Sequence, residues 1–219
     1  MQSTAQSSKL PISMQRIIPL RSDHLRRYWQ LWVWGIILAA VNLPLLHHQV
    51  RTGLLFLPEA VRDGEWWRVL TFPLVHLSPY HLLLDAGGFL LLYHYLEEKR
   101  VSIRLLYVLC AGVGSLTMAW IAEPSVSERG LAGLSGIAHG MMAISALEML
   151  RRPDQRSWGW GFLALVSGKS VYELWMGTVV FGFLHMGQCG YPIAACHAGG
   201  LMGGVLIFGI RQVLYQHDV

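Results

Sequence analysis

Apolar residues run through the chain in blocks of about the length a bilayer needs, divided by short polar or glycine- and proline-rich breaks. The first block, 28–47, carries Trp29, Trp32 and Trp34 near one edge as an interfacial belt and Pro44 in its last turn. Residues 79–96, 104–122, 134–150 and 193–214 form four more blocks. Residues 157–191 are also apolar, but Gly168, Lys169, Glu173 and several further glycines interrupt them. Each block predicts a helix. The stretch 48–78 mixes the breakers Gly53, Pro58, Gly64 and Pro73 with Leu54, Leu55, Phe56, Trp66 and Trp67, so it is expected to lie in the membrane interface. Residues 1–27 are polar and basic, and the apolar stretch after them lacks a small-residue cleavage site, so no cleavable signal peptide is expected. The reading is an all-α, polytopic membrane bundle of six transmembrane helices over 28–214. Cytoplasmic tails are expected at 1–27 and 215–219.

Composition narrows the class. Hydrophobic residues are 53% of the 219, and charged residues only 14%, against about 25% in an ordinary soluble domain. A net charge of +4 is spread too thinly to make a phosphate-binding face, which argues against a nucleic-acid partner. Three cysteines imply no disulfide framework.

Orientation follows from the cations. With the N-terminus inside, twelve of the 17 Lys and Arg fall on the inner side: the N-terminal tail, Lys99 to Arg104, Arg151 to Arg156, and Arg211. Four (Arg51, Arg62, Arg68 and Arg129) fall outside, and Lys169 lies within the fifth block. This count holds if residues 157–191 cross once; a double crossing stays open.

Polar side chains inside spans are costly and are functional suspects by default. The second block opens with His81 and Asp85, on one helical face at i, i+4. The fourth opens with Gly133-Leu134-Ser135-Gly136 and His139, the sixth with Cys196-His197. All three fall at the outer ends of even-numbered helices, so they share a depth. A serine needs a base to become a nucleophile, and histidine is the usual one. Exposed N–H groups at a helix start can hold an oxyanion. The parts suit acyl transfer to a serine followed by hydrolysis. Simpler roles are expected elsewhere. Gly200 and Gly204 have the small-xxx-small packing spacing. His76, His94 and His185 read as interface or core residues, Lys169 and Glu173 as a mutually neutralising pair, and Cys189 and Cys196 as packing thiols.

At these residues the chain resembles the rhomboid family of intramembrane serine proteases, over roughly 28–214. The matches are Trp67-Arg68, His76 and His81, Gly133-Leu134-Ser135-Gly136, and His197 with Gly200 and Gly204. Gly-Leu-Ser-Gly-x-x-His-Gly with Tyr172-Glu173-Leu174-Trp175 resembles the rhombosortase branch, a bacterial group associated with substrates bearing a C-terminal GlyGly-type membrane anchor. The resemblance implies Ser135 as nucleophile and His197 as general base, with Gly133 in the nucleophile motif. It also implies that His81 and the Ser135 backbone N–H flank the oxyanion. Asp85 falls where rhomboids typically carry Asn. Either it is protonated, or it stands one layer back and orients His81. His139 falls where many rhomboids have a Tyr packing on the base; being i+4 from Ser135, it is also a candidate base. The implied setting is a bacterial inner membrane with the site facing the periplasm. The implied partners are the lipid bilayer and a membrane-anchored protein with a C-terminal transmembrane tail, with no metal or cofactor. Two alternatives are an intramembrane metalloprotease-like enzyme using His81, Asp85, His139 and His197, and a non-catalytic rhomboid-like membrane binder.

Overall fold

The computed structural model describes residues 21–217, with side chains from 28 to 214. Lys9 and Arg16 of the basic tail, and residues 218–219, lie outside the described residues. The described residues form six helices of 16 to 23 residues: α1 (Arg21–Asn42), α2 (Pro79–Tyr95), α3 (Val101–Ala122), α4 (Ser135–Leu150), α5 (Arg156–Met176) and α6 (Ala195–His217). Three segments are long and apolar enough to cross a membrane by length and composition: Tyr28–His47, Val101–Ala122 and Ala195–Leu214. The exterior stays apolar well beyond these, with Leu83, Leu91, Trp158, Leu165 and Trp175 all exposed. Such a surface suits lipid rather than water.

Two boundaries differ most from the apolar blocks. The first helix starts at Arg21, inside the polar segment. The block 157–191 is not helical throughout: Gly177 ends α5 in a left-handed turn (φ +65°), and its N–H bonds the Glu173 carbonyl at 2.9 Å. The chain then returns without regular structure except for a single turn at Gly182–His185. A continuous apolar stretch does not show where a left-handed glycine stops a helix.

Helix α6 lies at the centre and presents two faces of glycine. Gly200 and Gly204 meet Gly136 and Gly140 of α4; a Cβ at Gly200 would stand 1.8 Å from the Gly136 carbonyl oxygen. Gly199 and Gly203 meet Gly114 and Cys110 of α3 in the same way. The backbones therefore touch, which is how small residues join helices without a hydrophobic driving force. Below the contact with α4, Phe89, Tyr93, Tyr107, Met141 and Ile144 fill the core.

The segment 48–78 is folded rather than loose. Phe56 and Leu131 exchange both backbone hydrogen bonds, at 3.1 and 2.9 Å. Phe56 and Phe72 pack with Ala119, Val126 and Leu131 in a second core. Arg68 is buried; it bonds Glu65 Oε2 at 2.6 Å and the carbonyls of Thr52 and Leu55 at 2.7 and 2.8 Å. This clasp fixes the segment against the chain that leads into α4.

Candidate active site

The approach to α4 determines where Ser135 sits. Gly133 adopts φ +96°, and its N–H bonds the Phe72 carbonyl at 3.1 Å. A Cβ there would lie 2.6 Å from Asp85 Oδ2 and 2.9 Å from His81 Nε2. Both backbone sign and space thus demand glycine. The turn places Ser135 as the first residue of α4, with its N–H free of intrahelical partners.

That N–H is not vacant. Asp85 Oδ2 accepts the N–H of Leu134 at 2.8 Å and of Ser135 at 3.1 Å. His81 Nε2 stands 3.3 Å from the same oxygen. His81 Nδ1 accepts the Leu77 N–H at 3.3 Å, which leaves the ring proton on Nε2, facing Asp85. Asp85 therefore both orients His81 and occupies the Ser135 N–H. His76 completes this group. It is fully buried, its ring packs edge-on against His81 at 5.1 Å, and its Nε2 is 3.7 Å from Asp85 Oδ2. Neither of its ring nitrogens has a hydrogen-bond partner among the described residues. Burial lowers the His76 pKa to about 4, against the pull of Asp85, so the ring is neutral at neutral pH.

A second group lies on the other side of Ser135. The Ser135 hydroxyl is 3.7 Å from Cys196 Sγ, and Cys196 directly precedes His197 on α6. His197 Nδ1 stands 2.7 Å from Glu173 Oε2. His139 stacks on His197, with ring centroids 4.0 Å apart and planes 12° from parallel. Lys169 Nζ donates to His139 Nε2 at 2.9 Å and to Glu173 Oε1 at 2.7 Å. Because lysine can only donate, His139 Nε2 is the acceptor, and its Nδ1–H donates to the Ser135 carbonyl at 2.7 Å.

Ser135, His197, Cys196, His81 and Asp85 line one cavity of about 420 Å³. Leu55, Leu84 and Ile193 supply apolar wall, and Arg129, Tyr191, His185 and Cys189 also line it, the Arg129 guanidinium 4.2 Å from the Tyr191 ring centroid. The four groups given a chemical role in the sequence (Ser135, His197, His81 and Asp85) thus meet in one space, with Gly133 beneath it; His185, Cys189 and Cys196, read there as core or packing residues, line the same cavity. His139 stands behind His197 and does not line the cavity. The set His81, Asp85, His139 and His197 is divided between two groups. Instead, ligand atoms of His139, Glu173 and His197 come within 4.8 Å of one another, a spacing a cation would accept. The Lys169 ammonium already bonds two of those side chains.

Two residues carry more than their sequence reading. Glu173 is neutralised by Lys169 as expected but also bonds His197. A carboxylate in an apolar helix was the available signal. Cys196 packs, as expected of a thiol, but packs on the Ser135 hydroxyl.

Comparison with known proteins places the site in context. A family model described as the rhomboid domain matches residues 63–212. The chain is also similar to the rhomboid protease GlpG of Haemophilus influenzae, 28% identical over 83 residues. That match covers 37% of this chain and 41% of the relative, so the chain spans less than half of the relative's length. No solved structure matches.

Proposed function

The chain belongs to the rhomboid family, and from that premise we propose that it is an intramembrane serine endopeptidase with Ser135 as nucleophile and His197 as general base. The observation that carries this reading is the meeting of the two residues in one cavity, with the Nδ1 side of His197 engaged by Glu173. That engagement leaves Nε2 to take the serine proton. His139 has no nitrogen to spare, since one donates to the Ser135 carbonyl and the other accepts from Lys169. It acts as the ring on which His197 rests.

The reaction begins with the Ser135 hydroxyl turning from Cys196 Sγ toward His197 Nε2. Nε2 takes the proton as Oγ attacks the scissile carbonyl. The resulting oxyanion is received by the Ser135 N–H and His81 Nε2–H, once Asp85 has given way. The imidazolium then protonates the departing amine, and a water, activated by the same base, hydrolyses the acyl-serine. These steps call for no metal or cofactor.

In this proposal residues 28–214 form a six-span protease domain, with cytoplasmic segments at 1–27 and 215–219. Helices α2 and α4, at 17 and 16 residues, are short spans that leave Ser135 below the outer surface. The excess of cations at the opposite ends of the helices supports a site on the outside, in this reading the periplasmic face of a bacterial inner membrane. The substrate is a membrane-anchored protein with a C-terminal transmembrane tail. The Gly-Leu-Ser-Gly-x-x-His-Gly and Tyr172-Glu173-Leu174-Trp175 motifs support the rhombosortase branch and a GlyGly-type anchor.

The direct test is a serine-reactive fluorophosphonate probe on the membrane-inserted protein. Modification of Ser135, lost in Ser135→Ala and in His197→Ala and unaffected by a chelator, is the expected result. Probe-resistant but chelator-sensitive proteolysis would replace this reading with the metalloprotease.

A further inference from the structure

We propose that Glu173 is the third member of a Ser135–His197–Glu173 relay, a positioning residue that fixes the tautomer of His197 and offsets its charge when it takes the serine proton. The proposal rests on the reading of His197 as the base.

The geometry separates this role from simple neutralisation of Lys169. Glu173 and Lys169, at i, i+4 on α5, already cancel each other at 2.7 Å through Oε1. Oε1 also accepts the Val180 N–H at 2.9 Å, brought back by the turn at Gly177. The carboxylate is thus anchored by its own helix and the following turn through one oxygen. The other oxygen, Oε2, is left for His197 Nδ1 at 2.7 Å, across from α5 to α6. Glu173 is wholly buried, so no water competes for Oε2.

Three consequences follow from the bond. An ionised carboxylate can only accept, so His197 must carry its proton on Nδ1 and present the Nε2 lone pair to the cavity. The ring cannot turn, because Glu173 holds its edge while His139, 4.0 Å away, holds its face. An imidazolium formed during attack gains an anion at 2.7 Å in a buried contact, where such an interaction is stronger than in water. Lys169 joins both supports, since its ammonium bonds Glu173 Oε1 and His139 Nε2.

The groups facing His197 are Glu173 and Lys169 from α5, His139 from α4, and Cys196 from α6, with His185 nearby in the turn before α6. Glu173 contributes the only negative charge among them. Its removal should therefore make His197 easier to deprotonate, and the acid limb of the pH–rate profile should move to lower pH.

The experiment uses the full chain in proteoliposomes with a fluorogenic transmembrane substrate that the wild type cuts. Glu173→Gln should lower kcat by about 10²–10⁴-fold with KM little changed, as expected when a base loses its orienting carboxylate. The acid limb should shift downward. Glu173→Asp should restore part of the rate, and Lys169→Met should cost less than Glu173→Gln. In wild-type protein, a low-field Nδ1 proton should be visible by NMR and absent in His197→Ala; this reading needs no variant of Glu173 to fold. A Glu173→Gln enzyme within about threefold of wild type and with the same pH profile would overturn the relay. So would the lack of the low-field proton. Persistent cleavage by Ser135→Ala is the separate outcome that would remove the proposed function itself.

Discussion

Asp85 Oδ2 accepts the backbone N–H of Ser135 at 3.1 Å, and the N–H of Leu134 and the ring of His81 converge on the same oxygen. A negatively charged oxygen held by these donors stands where a tetrahedral intermediate would place its own. For turnover Asp85 must swing away or become protonated, since a carboxylate repels an oxyanion. Asparagine keeps the shape and adds an N–H donor. Asp85→Asn is therefore expected to raise kcat at neutral pH, within the roughly 10²–10³-fold that one oxyanion donor is worth. A fall of similar size, measured on the same substrate, would mean that orienting His81 is the carboxylate's main task.

Cys196 makes a second prediction. Its thiol lies 3.7 Å from the Ser135 hydroxyl and lines the same cavity as His197, so two nucleophilic atoms neighbour one base. If Ser135 is the nucleophile, Cys196→Ala keeps or raises activity by freeing the hydroxyl for His197. In a Cys189→Ala background, needed because Cys189 lines the same cavity, bulky thiol reagents inhibit by filling the cavity and leave the added Cys196→Ala variant untouched. Ser135→Ala abolishes cleavage in either background. A dead Cys196→Ala beside an active Ser135→Ala would assign the chemistry to sulfur.

These two cases mark how far the sequence could be read. That Ser135, His81 and His197 meet in one cavity was legible because a polar group at a span end is rare and three such groups were expected to share a depth. The i, i+4 rule found His81 with Asp85, and Lys169 with Glu173, because both members of each pair ride on one helix. It could not find Glu173 with His197. That contact joins α5 to α6 and depends on how two glycine faces seat α6 in the bundle. Nor could it place Asp85 on the Ser135 N–H, which requires the positive φ at Gly133. The end of α5 at Gly177 was hidden for a related reason: lipid-facing apolarity continues past the helix, in Val180, Phe181 and Phe183.

The glycine contact itself can be tested. A Cβ at Gly200 meets the Gly136 carbonyl oxygen at 1.8 Å, and backbone on both sides leaves nothing flexible to yield. Gly200→Val should separate α6 from α4 and move His197 from Ser135. Overpacking of this kind costs about 1–3 kcal/mol or more. The variant is expected to lose activity and to melt lower in detergent. Gly209→Ala, lower on the same helix with open space around it, should be unaffected. Equal tolerance at both positions would contradict the close approach.

Topology yields a fourth expectation. Ala132 lines the cavity beside Ser135. With twelve of 17 cations assigned to the inner side, the cavity should open outward. In a background with Cys110, Cys189 and Cys196 replaced, Ala132→Cys should react with an impermeant maleimide added outside intact cells. Labelling confined to inverted vesicles would invert the orientation.

The choice of substrate follows from what the cavity can accept. Ser135 begins a short helix and is half-buried, so it cannot reach a folded loop in solution. Attack on a peptide needs an extended backbone, yet a transmembrane helix hides each carbonyl in an i→i−4 hydrogen bond. In the proposed function, a segment that unwinds cheaply at the outer boundary is therefore expected to be favoured. Glycine lowers that cost by about 1 kcal/mol per residue relative to alanine, and it lets the chain pass close to the Leu55, Leu84 and Ile193 wall. Two glycines at the head of a C-terminal anchor meet both demands, in agreement with the rhombosortase-like motifs. Co-expression with an exported protein bearing such an anchor should give a Ser135-dependent shortened product. Replacing both glycines with leucine should reduce it by about tenfold or more, since two residues at that cost amount to about 2 kcal/mol. Cleavage indifferent to the replacement would leave a rhomboid protease without the small-residue requirement, and the GlyGly-anchor assignment would fall.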